Sequence, residues 1–136
     1  MIEDPNPQRT PLSELGEFGL IERLTADLVP VHASTIVGVG DDAAVLRPDA
    51  EHDLLVSTDL LVEGVHFDLA YVPLQHLGYK AAVVNFSDIV AMGGTPTQLT
   101  VGLAVSSRFP VEALDEVYAG IRRACTQYGV DLVGGD

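Results

Sequence analysis

LQHLGYKAAVVNFSDIVAMGG, residues 74–94, reads as one long helix over Leu74–Met92. Leu77, Ala81, Val84, Ile89 and Met92 fall on or near one face, and the Gly93-Gly94 pair ends the element. Asp88 breaks this apolar run near its end. An aspartate there has poor helical propensity and must either face solvent or bind something.

Downstream, Gln98–Val105 reads as a buried strand, Val111–Tyr128 as a helix stopped by Gly129, and Asp131–Val133 as a last strand running into Gly134-Gly135-Asp136. Upstream, Leu12, Leu15, Phe18, Ile21, Leu24 and Leu28 recur every three or four residues, which predicts an amphipathic helix closed by Pro30. Short runs suited to strands follow at Thr35–Val39, Ala43–Leu46 and Leu54–Thr58, with a further short strand at Gly64–Phe67. Residues 1–11 are polar with three prolines and are expected to form a flexible tail. Adjacent strands mixed with helical crossovers favour an α+β fold, a mixed sheet covered by helices.

The chain has 136 residues, 47% of them hydrophobic, enough for one compact core. Twenty acidic residues against seven Lys and Arg give a net charge of -13, which argues against nucleic acid and anionic lipid as partners. An acidic protein that handles phosphates needs local neutralisation, and divalent cations supply it. The single cysteine, Cys125, cannot form an internal disulfide and sits at a core position of a helix, and no apolar stretch is long enough to span a membrane. A cytoplasmic location is expected.

Five aspartates stand where the backbone turns or an element ends: Asp41 and Asp42 in GVGDDAAVL, Asp59 in VSTDLLVEG, Asp88 in NFSDIVAMGG and Asp136 in VGGD. Each alone is an ordinary turn former or helix cap. Together, at one edge of a sheet, they would repel one another unless cations intervened, and hard oxygen ligands select Mg²⁺, Mn²⁺ or Ca²⁺ over zinc. Ser57 and Thr58 add hydroxyl and carbonyl oxygens of the same kind. His66, between Val65 and Phe67, is either structural or a donor to a phosphate oxygen. The stretch Gly38 to Ala43 fits the dinucleotide pattern G-x-G-x-x-A, but two carboxylates occupy its phosphate-facing turn and Pro48 arrives too soon for the required helix. No Walker A sequence is present, and the one lysine, Lys80, lies inside the second helix.

Taken together, GEFGLIERL (16–24), GVGDDAAVL (38–46), VSTDLLVEGVHF (56–67), YKAAVVNFSDIVAMGG (79–94) and the GGD of residues 134–136 resemble the thiamine-monophosphate kinase family. That family belongs to a superfamily with aminoimidazole ribonucleotide synthetase, selenophosphate synthetase and a hydrogenase maturation factor. NxSDxxAMG and GGD are general to the superfamily, whereas GEF, STD and GxHF are similar to the thiamine kinases in particular. The resemblance implies ATP-dependent phosphorylation of thiamine monophosphate to thiamine diphosphate by direct in-line transfer. It implies that Asp42, Ser57, Thr58, Asp59, Asp88 and Asp136 ligate several Mg²⁺ ions around the ATP phosphates, with Asp59, Asp88 and Asp136 catalytic. His66 would contact thiamine monophosphate, and Gly135 with Asp136 would lie against the nucleotide. Asp41 is a weaker candidate ligand, and Tyr118 would approach ATP, although no motif secures it. The resemblance further implies a homodimer whose sheets pair into a barrel. Residues 12–136 would be the N-terminal ATP- and magnesium-binding and dimerisation domain, with a C-terminal domain absent and the isolated piece inactive. The alternatives are another ATP-dependent activity of the superfamily, on an aminoimidazole precursor or selenide, or a non-catalytic dimerisation or metal-binding module.

Overall fold

The computed structural model describes residues 9–40 and 44–136. Three helices and four short strands follow in the order α1 (Leu12–Thr25), β1 (Thr35–Val37), β2 (Val45–Leu46), α2 (Leu74–Ala91), β3 (Gln98–Val101), α3 (Val111–Tyr128) and β4 (Asp131–Gly135). No helix among the described residues is long and apolar enough to cross a membrane.

The core is built on α3. Val111, Leu114, Tyr118, Ile121, Ala124 and Cys125 recur at helical spacing and are all buried. Gly129 ends the helix in the left-handed conformation, φ 65° and ψ 45°, and its N–H donates to the Cys125 carbonyl. The chain then turns directly into β4, whose Leu132 and Val133 are buried beside the helix it has just left. Burial pushes the Cys125 thiol up to about 11, and the nearby Asp131 charge adds to the effect, so at neutral pH it is a protonated core side chain.

Helix α2 packs on α3 through backbone. A Cβ on Gly78 would stand 1.9 Å from the Val117 carbonyl oxygen, and one on Gly120 would stand 2.0 Å from the Gln75 carbonyl oxygen. Only glycine permits this approach from both sides. The face of α2 that reaches the core is therefore Gly78, Ala82 and Phe86, not the Leu77, Ala81, Val84, Ile89 and Met92 line expected from apolar spacing. Spacing rewards bulk, whereas close packing selected the small residues. Leu77, Ala81, Ile89 and Met92 instead line an open cleft of about 1550 Å³.

Strands β3 and β4 pair in parallel, with Gln98 opposite Asp131 and Val101 opposite Gly135, α3 forming the crossover. Strands β1 and β2 form a separate antiparallel pair. The mixed sheet expected from the sequence is thus two two-stranded sheets among the described residues. The strand expected over Gln98–Val105 stops at Val101, where its partner β4 ends. The strand expected at Leu54–Thr58 does not form: among the described residues no strand pairs with it, and Leu54, Val56 and Leu60 are 61, 83 and 80% exposed. The expected strand at Gly64–Phe67 reduces to a turn closed by a single Glu63–Phe67 bridge and the Gly64 N–H to Phe67 carbonyl bond of 2.8 Å.

Helix α1 departs from the expected regular amphipathic helix. Gly16, at φ 64°, kinks it; it ends at Thr25 rather than at Pro30; and Phe18 is 84% exposed. Leu24 is its buried contact, held by Arg122, which donates to the Leu24 carbonyl at 2.9 Å, and by the Arg23–Asp115 ion pair of 2.6 Å. Thr10 and Pro11, within the segment expected to be a flexible tail, are pinned to the start of α3. The Thr10 N–H and hydroxyl donate to the Glu112 carboxylate, and Pro11 bridges Pro110.

Asp131, 4% exposed, ties the loop after α1 to β4. Its carboxylate accepts from the Val31 N–H (2.5 Å), the His32 N–H (3.0 Å) and the Thr35 hydroxyl (2.7 Å). Burial pushes this carboxyl up, but those donors outweigh it and hold the group below its ordinary range.

Two expectations follow. Gly78→Ala should lower stability by about 3 kcal/mol or more in urea denaturation, because backbone must move to admit the methyl group. Gly19→Ala, whose Cβ would meet only the Leu15 Cβ at 3.4 Å, should shift it by less than about 1 kcal/mol; equal effects would refute the close-contact account. Asp131→Asn should cost about 1 to 3 kcal/mol at neutral pH. Because the folded-state value is depressed, the wild-type advantage is present above the unfolded value of about 3.9 and is lost as pH falls through the lower folded value. A pH-independent difference between the two proteins would contradict this.

Candidate metal and phosphate site

Segment 53–62 has no regular secondary structure, so side chains of α2 position it. The Ser57 hydroxyl donates to Asp88 Oδ2 at 2.8 Å, and the Asp59 N–H donates to Asn85 Oδ1 at 2.9 Å. Asn85 and Asp88 are three residues apart on one helix and so face the same way. The two contacts lay the STD stretch along the last turns of α2. Asp59 and Asp88, distant in sequence, thereby stand on adjoining segments.

The loop that follows is held by the same helix. Lys80 Nζ donates to the His66 carbonyl at 2.8 Å. The His66 ring accepts the Val62 N–H on Nδ1 at 3.0 Å, which places the proton of the neutral ring on Nε2. That N–H belongs to an exposed residue and is available to an anion. Ser57, Thr58 and Asp59 line the large cleft together with Asn85 and the Val101–Leu103 strand end.

Asp136 lies beyond the end of β4. Its N–H donates to the Val101 carbonyl at 3.0 Å, and its own carbonyl accepts the Leu103 N–H at 2.6 Å. Gly135 packs directly on β3, since a Cβ there would stand 1.8 Å from the Val101 carbonyl oxygen. The glycine thus has a packing reason independent of any ligand. Asp41 and Asp42 lie outside the described residues. Tyr118 is buried in the core of α3, and burial raises its phenol above the usual value.

Among the described residues, no three His, Cys, Asp or Glu side chains form a group able to hold a metal ion. Of the six ligands expected from the sequence, Ser57 and Asp88 are in contact, Thr58 and Asp59 are beside them in the chain, Asp136 is at a different strand end, and Asp42 falls in the undescribed stretch. The donor chemistry still suits a hard divalent cation: the exposed Asp59 and Asp88 carboxylates and the Ser57 and Thr58 hydroxyls are hard oxygen donors, with no thiol or imidazole hydrogen-bonded to them among the described residues. The apolar pattern of α2 marks neither Asn85 nor Lys80 as an anchor for the segments beside the helix. The signal for Asn85 was available, since an asparagine inside an apolar helix has low propensity and calls for a partner.

The family model for the AIR synthase related protein, N-terminal domain, matches residues 40–136. A thiamine-monophosphate kinase of Synechococcus elongatus is 45% identical over 125 residues, covering 92% of this chain and 36% of that protein. One of Bacillus subtilis is 41% identical over 122 residues, covering 90% and 37%. Among solved structures, the thiamine-monophosphate kinase of Stenotrophomonas maltophilia K279a superposes with a TM-score of 0.71 at 34% identity, over 90% of this chain and 38% of that one. The structure of AaThiL complexed with AMPPCP and TMP superposes with a TM-score of 0.56 at 34% identity, over 91% and 38%. The chain therefore spans little more than a third of the length of these relatives.

Proposed function

The chain belongs to the AIR synthase related protein family, matching its N-terminal domain, and from that premise we propose that residues 12–136 serve a kinase that phosphorylates thiamine monophosphate to thiamine diphosphate with ATP. The observation that carries the reading is the joining of the STD stretch to Asp88 of α2 by the Ser57–Asp88 and Asp59–Asn85 hydrogen bonds. It is supported by relatives named thiamine-monophosphate kinase at 45% and 41% identity and by AaThiL, solved with AMPPCP and TMP.

The reaction is in-line attack of a phosphate oxygen of thiamine monophosphate on the γ-phosphorus of ATP; the new P–O bond forms as the bond to ADP breaks. The nucleophile is already ionised, so alignment and charge neutralisation are the main demands. Asp42, Ser57, Thr58, Asp59, Asp88 and Asp136 are the residues that would hold magnesium, which when bound offsets charge on the transferring phosphoryl group and on the departing ADP. His66 donates its Nε2–H to the phosphate of thiamine monophosphate. Gly135 and Asp136, at the end of β4, lie against the nucleotide. Lys80 stabilises the His66 loop through its hydrogen bond to the His66 carbonyl.

The protein is proposed to act in the cytoplasm as a homodimer. The exposed apolar side chains of segment 53–62 and the cleft-facing side of α2 suit burial against a second copy, whose unpaired strands would extend the sheets.

In the full-length enzyme, Asp59→Ala should reduce thiamine diphosphate formation by more than about 100-fold, with the circular dichroism spectrum and urea midpoint unchanged. Near-normal steady-state kinetics in that variant, or turnover of an aminoimidazole substrate in preference to thiamine monophosphate, would overturn the assignment.

A further inference from the structure

We propose that Asn85 is a positioning residue that holds Asp59 in place for the cation whether or not the cation is bound. The inference rests on the magnesium and phosphate reading of the site. Asn85 is half-buried, and both ends of its carboxamide are used. Nδ2 donates to the Ala81 carbonyl at 3.0 Å, one turn back along α2, and Oδ1 accepts the Asp59 N–H at 2.9 Å. The first bond fixes the second, because a flipped amide would set its NH₂ group against the Asp59 N–H and its oxygen against the Ala81 carbonyl.

Segment 53–62 gains no support from a strand or helix of its own. Two side-chain contacts join its STD stretch to α2, and they differ in kind. The Ser57–Asp88 bond joins two of the proposed ligands, so it competes with any cation for the Asp88 carboxylate. The Asp59–Asn85 bond joins a main-chain N–H to a side chain outside the ligand set, leaving the Asp59 carboxylate free. Asn85 is thus the contact that survives cation binding unchanged. Groups that orient a ligand without touching the metal are worth roughly 10- to 100-fold in metal affinity.

The test compares the wild-type chain with Asn85→Leu, which keeps the branched shape and loses the acceptor, and with Asn85→Asp, which keeps the acceptor. Hydrogen exchange of the Asp59 amide is read in the absence of metal, and Mn²⁺ affinity in the presence of AMPPCP is read by electron paramagnetic resonance. The expected result is a tenfold or greater acceleration of Asp59 exchange in Asn85→Leu, with amides of the α3 core unchanged and Mn²⁺ affinity reduced roughly 10- to 100-fold. Asn85→Asp should restore the slow exchange only in part, because it keeps the acceptor for the Asp59 N–H but sets its second oxygen against the Ala81 carbonyl. Unchanged Asp59 exchange in Asn85→Leu, or accelerated exchange with undiminished Mn²⁺ affinity, would overturn the proposal. Failure of the wild-type chain to bind Mn²⁺ would instead overturn the magnesium reading itself, an outcome recognisable because the exchange difference would persist without it.

Discussion

The contact on which the structure depends is the glycine-to-backbone meeting of α2 and α3. Gly78 lies on the Val117 carbonyl and Gly120 on the Gln75 carbonyl, so neither helix can carry a side chain at the crossing. Helices this close share a rigid interface, since adjustment would require moving backbone rather than turning a rotamer. Through α3 and the Gly129 cap that interface sets the start of β4, and through α2 it sets Asn85 and Asp88. The two chemical ends of the chain, the Asp88 turn and the Asp136 strand end, are thus placed by one packing decision.

The site adds little regular structure to that frame. Segment 53–62 is anchored by hydrogen bonds to α2 side chains, and the His66 loop by Lys80. This arrangement sets the exposed Asp59 and Asp88 on adjoining segments of a chain already carrying a net charge of -13. Such an arrangement is poorly suited to holding an anion by itself and well suited to a divalent cation that accompanies one. The buried Asp131 shows the contrasting case. Its charge is satisfied by three protein donors and is structural.

Elements with strong periodicity and punctuation were legible in the sequence. Helix α3 begins and ends where its apolar spacing and Gly129 put it, and α2 ends one residue short of the expected Met92. The register of α2 was not legible, because small residues that permit close contact carry no hydrophobic signal. The strand at Leu54–Thr58 was not legible for a different reason: its sequence suits a strand, but strands require partners, and none pairs with it among the described residues. Of the site, the contact between the STD stretch and NFSD was foreshadowed by clustered hard donors. Asn85 carried a local signal, a carboxamide inside an apolar helix, but its partner, the Asp59 N–H 26 residues away, is revealed by no local pattern.

The central claim is that the chain carries a cation-dependent phosphate site spread over the STD stretch, the Asp88 turn and the GGD strand end. Paramagnetic broadening of backbone amides by Mn²⁺ with AMPPCP tests it most directly. The account predicts selective loss of signal at residues 57–59, 66, 85–89 and 134–136, reversed by excess Mg²⁺, with the buried amides of 118–125 unaffected. Broadening confined to other acidic stretches, such as residues 49–53, or spread evenly over the surface, would contradict it.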